Sequence, residues 1–106
     1  GYRKLPNGEL RNSILADVSN KIPGGGLCGT AEDLVRFGLA LQENRLMKPE
    51  TQAQMFTPGK LPDGKLTGYA LGWSVAERSG VREANHGGGQ PRVATFLHTR
   101  PDQRIV

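Results

Sequence analysis

The 106-residue chain has a single cysteine, Cys28, so it can close no internal disulfide and build no cysteine-based zinc site. Long hydrophobic runs are missing as well. The apolar pairs around Ala70-Leu71 and Gly72-Trp73 fall far short of the ~20 residues a membrane-spanning helix needs. No charged and apolar segment pair of the secretory kind opens the chain. A charge cluster is absent too: the net charge is +4, but the fourteen Lys and Arg residues fall seven and seven in the two halves. A nucleic-acid binder gathers them on one helix or stripe, so no nucleic-acid partner is expected. Aromatics are sparse at 6%.

What is present is glycine and proline, 15 and 7 residues, spread as punctuation rather than as a repeat. Collagen-like and low-complexity readings therefore fail. Leu, Ile, Val and Phe together make 24 of 106 residues, above the roughly 20% below which disorder is the default. One small, loop-rich globular unit is expected.

Residues 1–23 read as loop with one short hairpin around Pro6-Asn7-Gly8. Thr30 then stands as an N-cap before Ala31-Glu32-Asp33, with acidic residues where the helix dipole favours them. Leu34, Phe37 and Leu41 recur at helical spacing, which predicts a helix over about 31–43 with Asn44 as its stop. Pro49 is placed to open a second helix, ended by Thr57-Pro58-Gly59, and Pro62-Asp63-Gly64 is a turn. From Gly68 the period changes to alternation. Tyr69, Leu71, Trp73 and Val75 are expected on one face of a strand, with Trp73 in the core rather than serving as a substrate platform. Glu77 to Gly80 turns the chain, Val81 to His86 returns as a partner, and Val93 to His98 forms a third strand. Ile105-Val106 reads as the start of a fourth, which suggests a piece of a longer protein. The class is α+β: two helices, then an antiparallel meander of three to four strands with helices on its faces.

Two glycine runs invite chemistry. Gly24-Gly25-Gly26-Leu27-Cys28-Gly29 precedes a helix but lacks the Lys-Ser/Thr of a phosphate loop, and reads as a tight turn. Asn85-His86-Gly87-Gly88-Gly89-Gln90 is the sharper case. Three glycines strip the strand of side chains, so a ligand can approach its backbone N–H groups, and a histidine beside them can donate a hydrogen bond or move a proton. The other reading is a glycine-rich turn with an incidental histidine. Cys28, His86 and His98 show no short-range ligand pairing, and no metal is expected.

Taken in order, Pro23-Gly24-Gly25-Gly26-Leu27, Thr30-Ala31-Glu32-Asp33-Leu34, Lys48-Pro49-Glu50-Thr51, Gly68-Tyr69-Ala70-Leu71-Gly72-Trp73 and His86-Gly87-Gly88 carry a resemblance. Together they resemble the C-terminal portion of the serine β-lactamase and penicillin-binding-protein-like family, in its class C and esterase-like branch. The resemblance implies that residues 1–106 are a C-terminal fragment of one β-lactamase-like domain. It also implies acyl transfer from a small ester, amide, β-lactam or D-amino-acid peptide through an acyl-serine, with no cofactor.

Of the family's three motifs, only the third has a counterpart here. His86 would face the substrate, Gly88 would keep the strand bare, and the Gly89 N–H would be one oxyanion-hole donor. Gly87, Gln90 and Arg92 would line the substrate, although Arg92 can equally point to solvent. Histidine in place of the family's lysine leaves esterase and peptidase chemistry as open as β-lactam hydrolysis.

Ser-x-x-Lys is missing, since Ser13, Ser19, Ser74 and Ser79 are followed three residues on by Ala16, Ile22, Glu77 and Arg82. Tyr-x-Asn is missing after both Tyr2 and Tyr69. The chain alone is therefore expected to be inactive, and with an unfinished sheet edge it is expected to self-associate. A non-catalytic ligand-binding or regulatory protein on the same scaffold is the alternative. The resemblance leans towards the bacterial envelope, periplasm or export.

Overall fold

The computed structural model describes residues 1–15 and 17–106. Its elements run β1 (Tyr2–Lys4), β2 (Leu10–Asn12), a 3₁₀ turn (Ser19–Lys21), α1 (Ile22–Gly25), α2 (Ala31–Gln42), α3 (Pro49–Met55), β3 (Ser74–Arg78), β4 (Val81–Gln90), β5 (Val93–Thr99) and a closing 3₁₀ turn (Pro101–Gln103). The fold is α+β, with helices followed by a three-stranded antiparallel meander in the order β3-β4-β5. The chain divides into two compact units: Gly1–Cys28 with Gly87–Thr95, and Gly29–His86 with Phe96–Val106.

In the larger unit α2 follows directly from its sequence. The Thr30 hydroxyl accepts from the Asp33 N–H at 3.1 Å, and the Asp33 carboxylate accepts from the Thr30 N–H at 3.0 Å, a reciprocal capping box. These bonds hold the Asp33 carboxyl below the usual aspartate range, the backbone bond contributing most. At the other end Asn44 takes a left-handed φ of 55°. Its N–H reaches the Leu41 carbonyl, and the Arg45 N–H reaches that of Ala40. That pair of bonds is the Schellman arrangement, here with asparagine supplying the conformation glycine usually takes. Pro49 opens α3, which stops before Thr57.

The core of this unit is Leu41, Phe56, Trp73 and Ala84, flanked by Met47, Met55, Val75 and Leu97. Phe56 and Trp73 meet with ring centroids 5.4 Å apart at 55°, a favourable tilted pair. Each large side chain buried here contributes roughly 1.5–3 kcal/mol. Gly38 is the close-approach point of α2: a Cβ there would stand 2.6 Å from a Val106 methyl. Gln42 fixes the same contact by donating to the Ile105 carbonyl at 2.9 Å and to the Thr99 hydroxyl. On β4 the buried Glu83 carboxylate is matched by Arg100 at 2.8 Å and Arg78 at 3.5 Å. Burying that charge without such partners would be strongly unfavourable.

The expected strand from Gly68 is not formed. β3 begins only at Ser74, because Gly68 and Gly72 take positive φ of 71° and 82° and fold the intervening residues into a turn. The Ala70 N–H bonds the Trp73 carbonyl across that turn, and Tyr69 makes a single bridge to Ser74. The supposed common face is thereby split: Trp73 is buried, while Tyr69 and Leu71 are 46% and 68% exposed. Ile105 likewise makes one bridge, to Arg100, rather than a fourth strand. The β3–β4 hairpin turns at Ser79-Gly80, both at positive φ, the signature of a two-residue type I′ loop.

The smaller unit contains the expected amino-terminal hairpin. β1 and β2 pair antiparallel in the register Tyr2↔Asn12, Arg3↔Arg11 and Lys4↔Leu10, around a turn in which Gly8 takes φ 85°. The run Gly24-Gly25-Gly26 is not a bare turn: its first two residues complete the short α1, with Pro23 near its start. In the Gly87–Thr95 stretch of this unit, Pro91 and Arg92 make the loop between β4 and β5. Arg92 at φ 64° after proline is the type II signature.

Candidate functional site

β4 is ten residues long, and its two halves differ. Val81 to Asn85 pair with β3, in a register that ends at Ser74↔Asn85. From His86 to Gln90 the edge that faced β3 has no strand partner among the described residues. Asn85 to Gln90 is therefore continuous strand, and the reading of this stretch as a glycine-rich turn is corrected. The β4–β5 hairpin closes only at Pro91-Arg92, which keeps the glycines extended.

His86 is the first residue past the paired section and its side chain is exposed. The Tyr69 ring lies beside it, centroids 6.5 Å apart and tilted by 57°. Sequence reasoning assigned Tyr69 to a core face. The signal available was the glycine on each side of the short segment, Gly68 and Gly72, which favours a turn over a strand.

The glycines after His86 are exposed. A Cβ on Gly88 would approach the Thr95 hydroxyl to 2.7 Å, whereas one on Gly89 would meet open space. Gly89 therefore leaves its peptide approachable, and Gly88 seats the strand against β5. Gln90 is turned to a neighbour within its own unit: its side-chain amide donates to the Gly25 carbonyl at 2.5 Å, with Gly25 packed directly against it. Arg92 is exposed and makes no ion pair among the described residues.

Chemically, Gly87 to Gln90 in the smaller unit offer a glycine-rich strand edge with no strand partner among the described residues, and His86 in the larger unit offers an accessible imidazole. Such an edge can donate backbone N–H groups to a carbonyl or carboxylate oxygen, and can pair with an extended ligand. Among the described residues no group of three or more His, Cys, Asp or Glu side chains comes together as a metal site. No helix among them is long and apolar enough to cross a membrane.

The Beta-lactamase family model matches residues 1–106. The chain is 30% identical to "Serine beta-lactamase-like protein LACTB, mitochondrial" of Homo sapiens, over 89% of this chain and 22% of that protein. Its counterparts in Mus musculus and Bos taurus are 30% and 29% identical over the same shares. The chain thus spans about a fifth of the length of the curated relatives it matches. No solved structure matches significantly. With a family match over its whole length and an α+β fold of helices and antiparallel meander, the chain belongs to the beta-lactamase family and carries a serine-hydrolase-related scaffold.

Proposed function

We propose that residues 1–106 are the C-terminal part of a serine hydrolase domain and supply the strand that lines its acyl-transfer site. The observation that carries this reading is the second half of β4: an exposed histidine followed by three glycines on a strand edge with no partner among the described residues. A carbonyl oxygen becoming negative in the transition state needs donors already aimed at it, and the Gly89 N–H supplies one. The nucleophile's own N–H supplies the other. His86 donates a hydrogen bond or passes a proton on the substrate side, Gly88 lets the strand seat on β5, and Gly89 keeps the approach open. Gly87 borders the ligand backbone. Gln90 acts at one remove, holding Gly25 through its amide, and Arg92 stays in solvent. The serine, its lysine base and the Tyr-x-Asn group come from segments outside these residues. Serine is a weak nucleophile until a nearby base takes its proton, so the isolated chain turns nothing over.

The test compares the isolated chain with the polypeptide read from the complete coding frame, using a chromogenic acyl ester, a β-lactam and a serine-reactive fluorophosphonate. The longer polypeptide should hydrolyse at least one acyl substrate and take up the probe on one serine, and the chain alone should do neither. Within the longer polypeptide, His86→Ala should lower kcat/KM by roughly 10²- to 10⁴-fold, the range for a positioned proton-transfer group. A longer polypeptide without Ser-x-x-Lys, or an unchanged kcat/KM in His86→Ala, would sink the proposal and favour a ligand-binding protein on the same scaffold.

The isolated chain should also self-associate. It carries the open edge of β4, and Leu15, Leu27, Leu71 and Phe96 stand 96%, 84%, 68% and 65% exposed. Sedimentation over a concentration series should show mass rising with concentration. A monomer at every concentration would contradict it.

A further inference from the structure

We infer that Tyr69 is a positioning residue for the His86 imidazole, an inference that rests on His86 being the site's proton-handling side chain. Three observations within the larger unit carry it. The Tyr69 ring is 6.5 Å from that of His86, centroid to centroid, and tilted by 57°, within the range in which aromatic rings attract edge to face. Second, the Tyr69 backbone is fixed on both sides. Its N–H donates to the Thr67 hydroxyl at 3.2 Å, and its carbonyl accepts from that hydroxyl at 2.9 Å and from the Gly59 N–H at 2.9 Å. Third, Tyr69 bridges Ser74, the residue paired with Asn85, so the segment is tied to β4 one residue before His86.

The turn that spoils the strand at residues 68–73 is what makes this placement possible. With positive φ at Gly68 and Gly72 the segment leaves the core, and Tyr69 remains half-exposed instead of joining Trp73. An exposed histidine otherwise samples several rotamers. A ring against one side of the imidazole restricts that freedom, and a proton-transfer group works only when held within reach of its target. The phenol hydroxyl has no hydrogen-bond partner among the described residues, so the ring rather than the hydroxyl performs this role.

The chain has two histidines, which makes the test clean. His98 stacks on Phe96 with centroids 6.3 Å apart and serves as the internal reference. In NMR spectra of the ¹⁵N-histidine-labelled protein, Tyr69→Leu should move the His86 ring signals and leave those of His98 in place. Tyr69→Phe should keep the His86 signals near their original positions, and Phe96→Leu should move only His98.

In the complete polypeptide, Tyr69→Leu should lower kcat by roughly ten- to a hundredfold with KM within about twofold, the size expected for a misplaced catalytic group. Tyr69→Phe should restore it. His86 signals that do not respond to Tyr69→Leu, or an unchanged kcat in that variant while His86→Ala is impaired, would overturn the positioning role and leave the hydrolase reading intact. An unimpaired His86→Ala would remove both.

Discussion

The two units of this chain solve different problems. The larger, Gly29–His86 with Phe96–Val106, holds every buried apolar side chain among the described residues: Leu41, Phe56, Trp73 and Ala84. The smaller, Gly1–Cys28 with Gly87–Thr95, holds none, and is organised by backbone pairing in β1–β2 and by the Gln90 amide on the Gly25 carbonyl. Side-chain burial gives the larger unit its stability. The smaller unit leaves peptide groups uncovered, which a packed core would forbid. Glycines in such a strand let another group approach its backbone closely, at the expense of local stability.

The largest effect expected from this contrast is on Trp73. Trp73→Ala removes a side chain that is 5% exposed and packed on Phe56, and should cost about 3–5 kcal/mol of unfolding free energy. Leu15→Ala in the smaller unit removes one that is 96% exposed, and should stay within about 0.5 kcal/mol. Urea denaturation of the two variants checks the pair. Comparable losses would mean that the smaller unit has an apolar core after all.

Within β4 the same logic sharpens to neighbouring glycines. Gly88→Ala would press its methyl on the Thr95 hydroxyl, a clash of the overpacking kind that costs about 1–3 kcal/mol. Gly89→Ala meets nothing and should gain about 0.5–1 kcal/mol through the reduced freedom of the unfolded chain. A Thr95→Ala background removes the obstructing atom, so the Gly88→Ala penalty should vanish there. If both alanines behave alike in a double-mutant cycle, Gly88 does not seat the strand on β5.

Legibility in the sequence divides along the same line. α2 could be read because a capping residue, an acidic first turn and a helical apolar stripe all agree at Thr30 to Leu41. Pro49, Ser79-Gly80 and the Pro6-Asn7-Gly8 turn were readable as punctuation whose backbone preference is intrinsic. The segment at residues 69–73 was not, since its side chains alternate correctly while positive φ at two glycines overrides the pattern. Ile105 misled in a similar way, its β-branched side chain suggesting a strand where only one bridge forms. For the candidate site, His86 and the glycines stand out as a motif. Tyr69 does not, because its proximity to His86 arises from a turn and a bridge that no periodicity encodes.

The smallest expected effect tests whether the larger unit's stability also has an electrostatic share. The Asp33 carboxyl is held below its ordinary value by the Thr30 N–H and, secondarily, by the Thr30 hydroxyl. A group whose folded-state value is depressed binds fewer protons folded than unfolded at intermediate pH, so stability rises with pH across that window. The contribution of Asp33 is therefore complete above the ordinary aspartate range. It decays as pH falls through the lowered value and is gone below it. Asp33→Asn should flatten that part of the acid limb and leave the rest, while Thr30→Ala, which keeps the backbone N–H that contributes most, should flatten it only in part and also lower stability at neutral pH by about 1 kcal/mol through loss of the N-cap. Urea midpoints for the three proteins at neutral pH and below the aspartate range separate these effects. An acid limb of unchanged slope in Asp33→Asn would show that the capping box forms at α2 without adding proton-linked stability to the unit that holds the core.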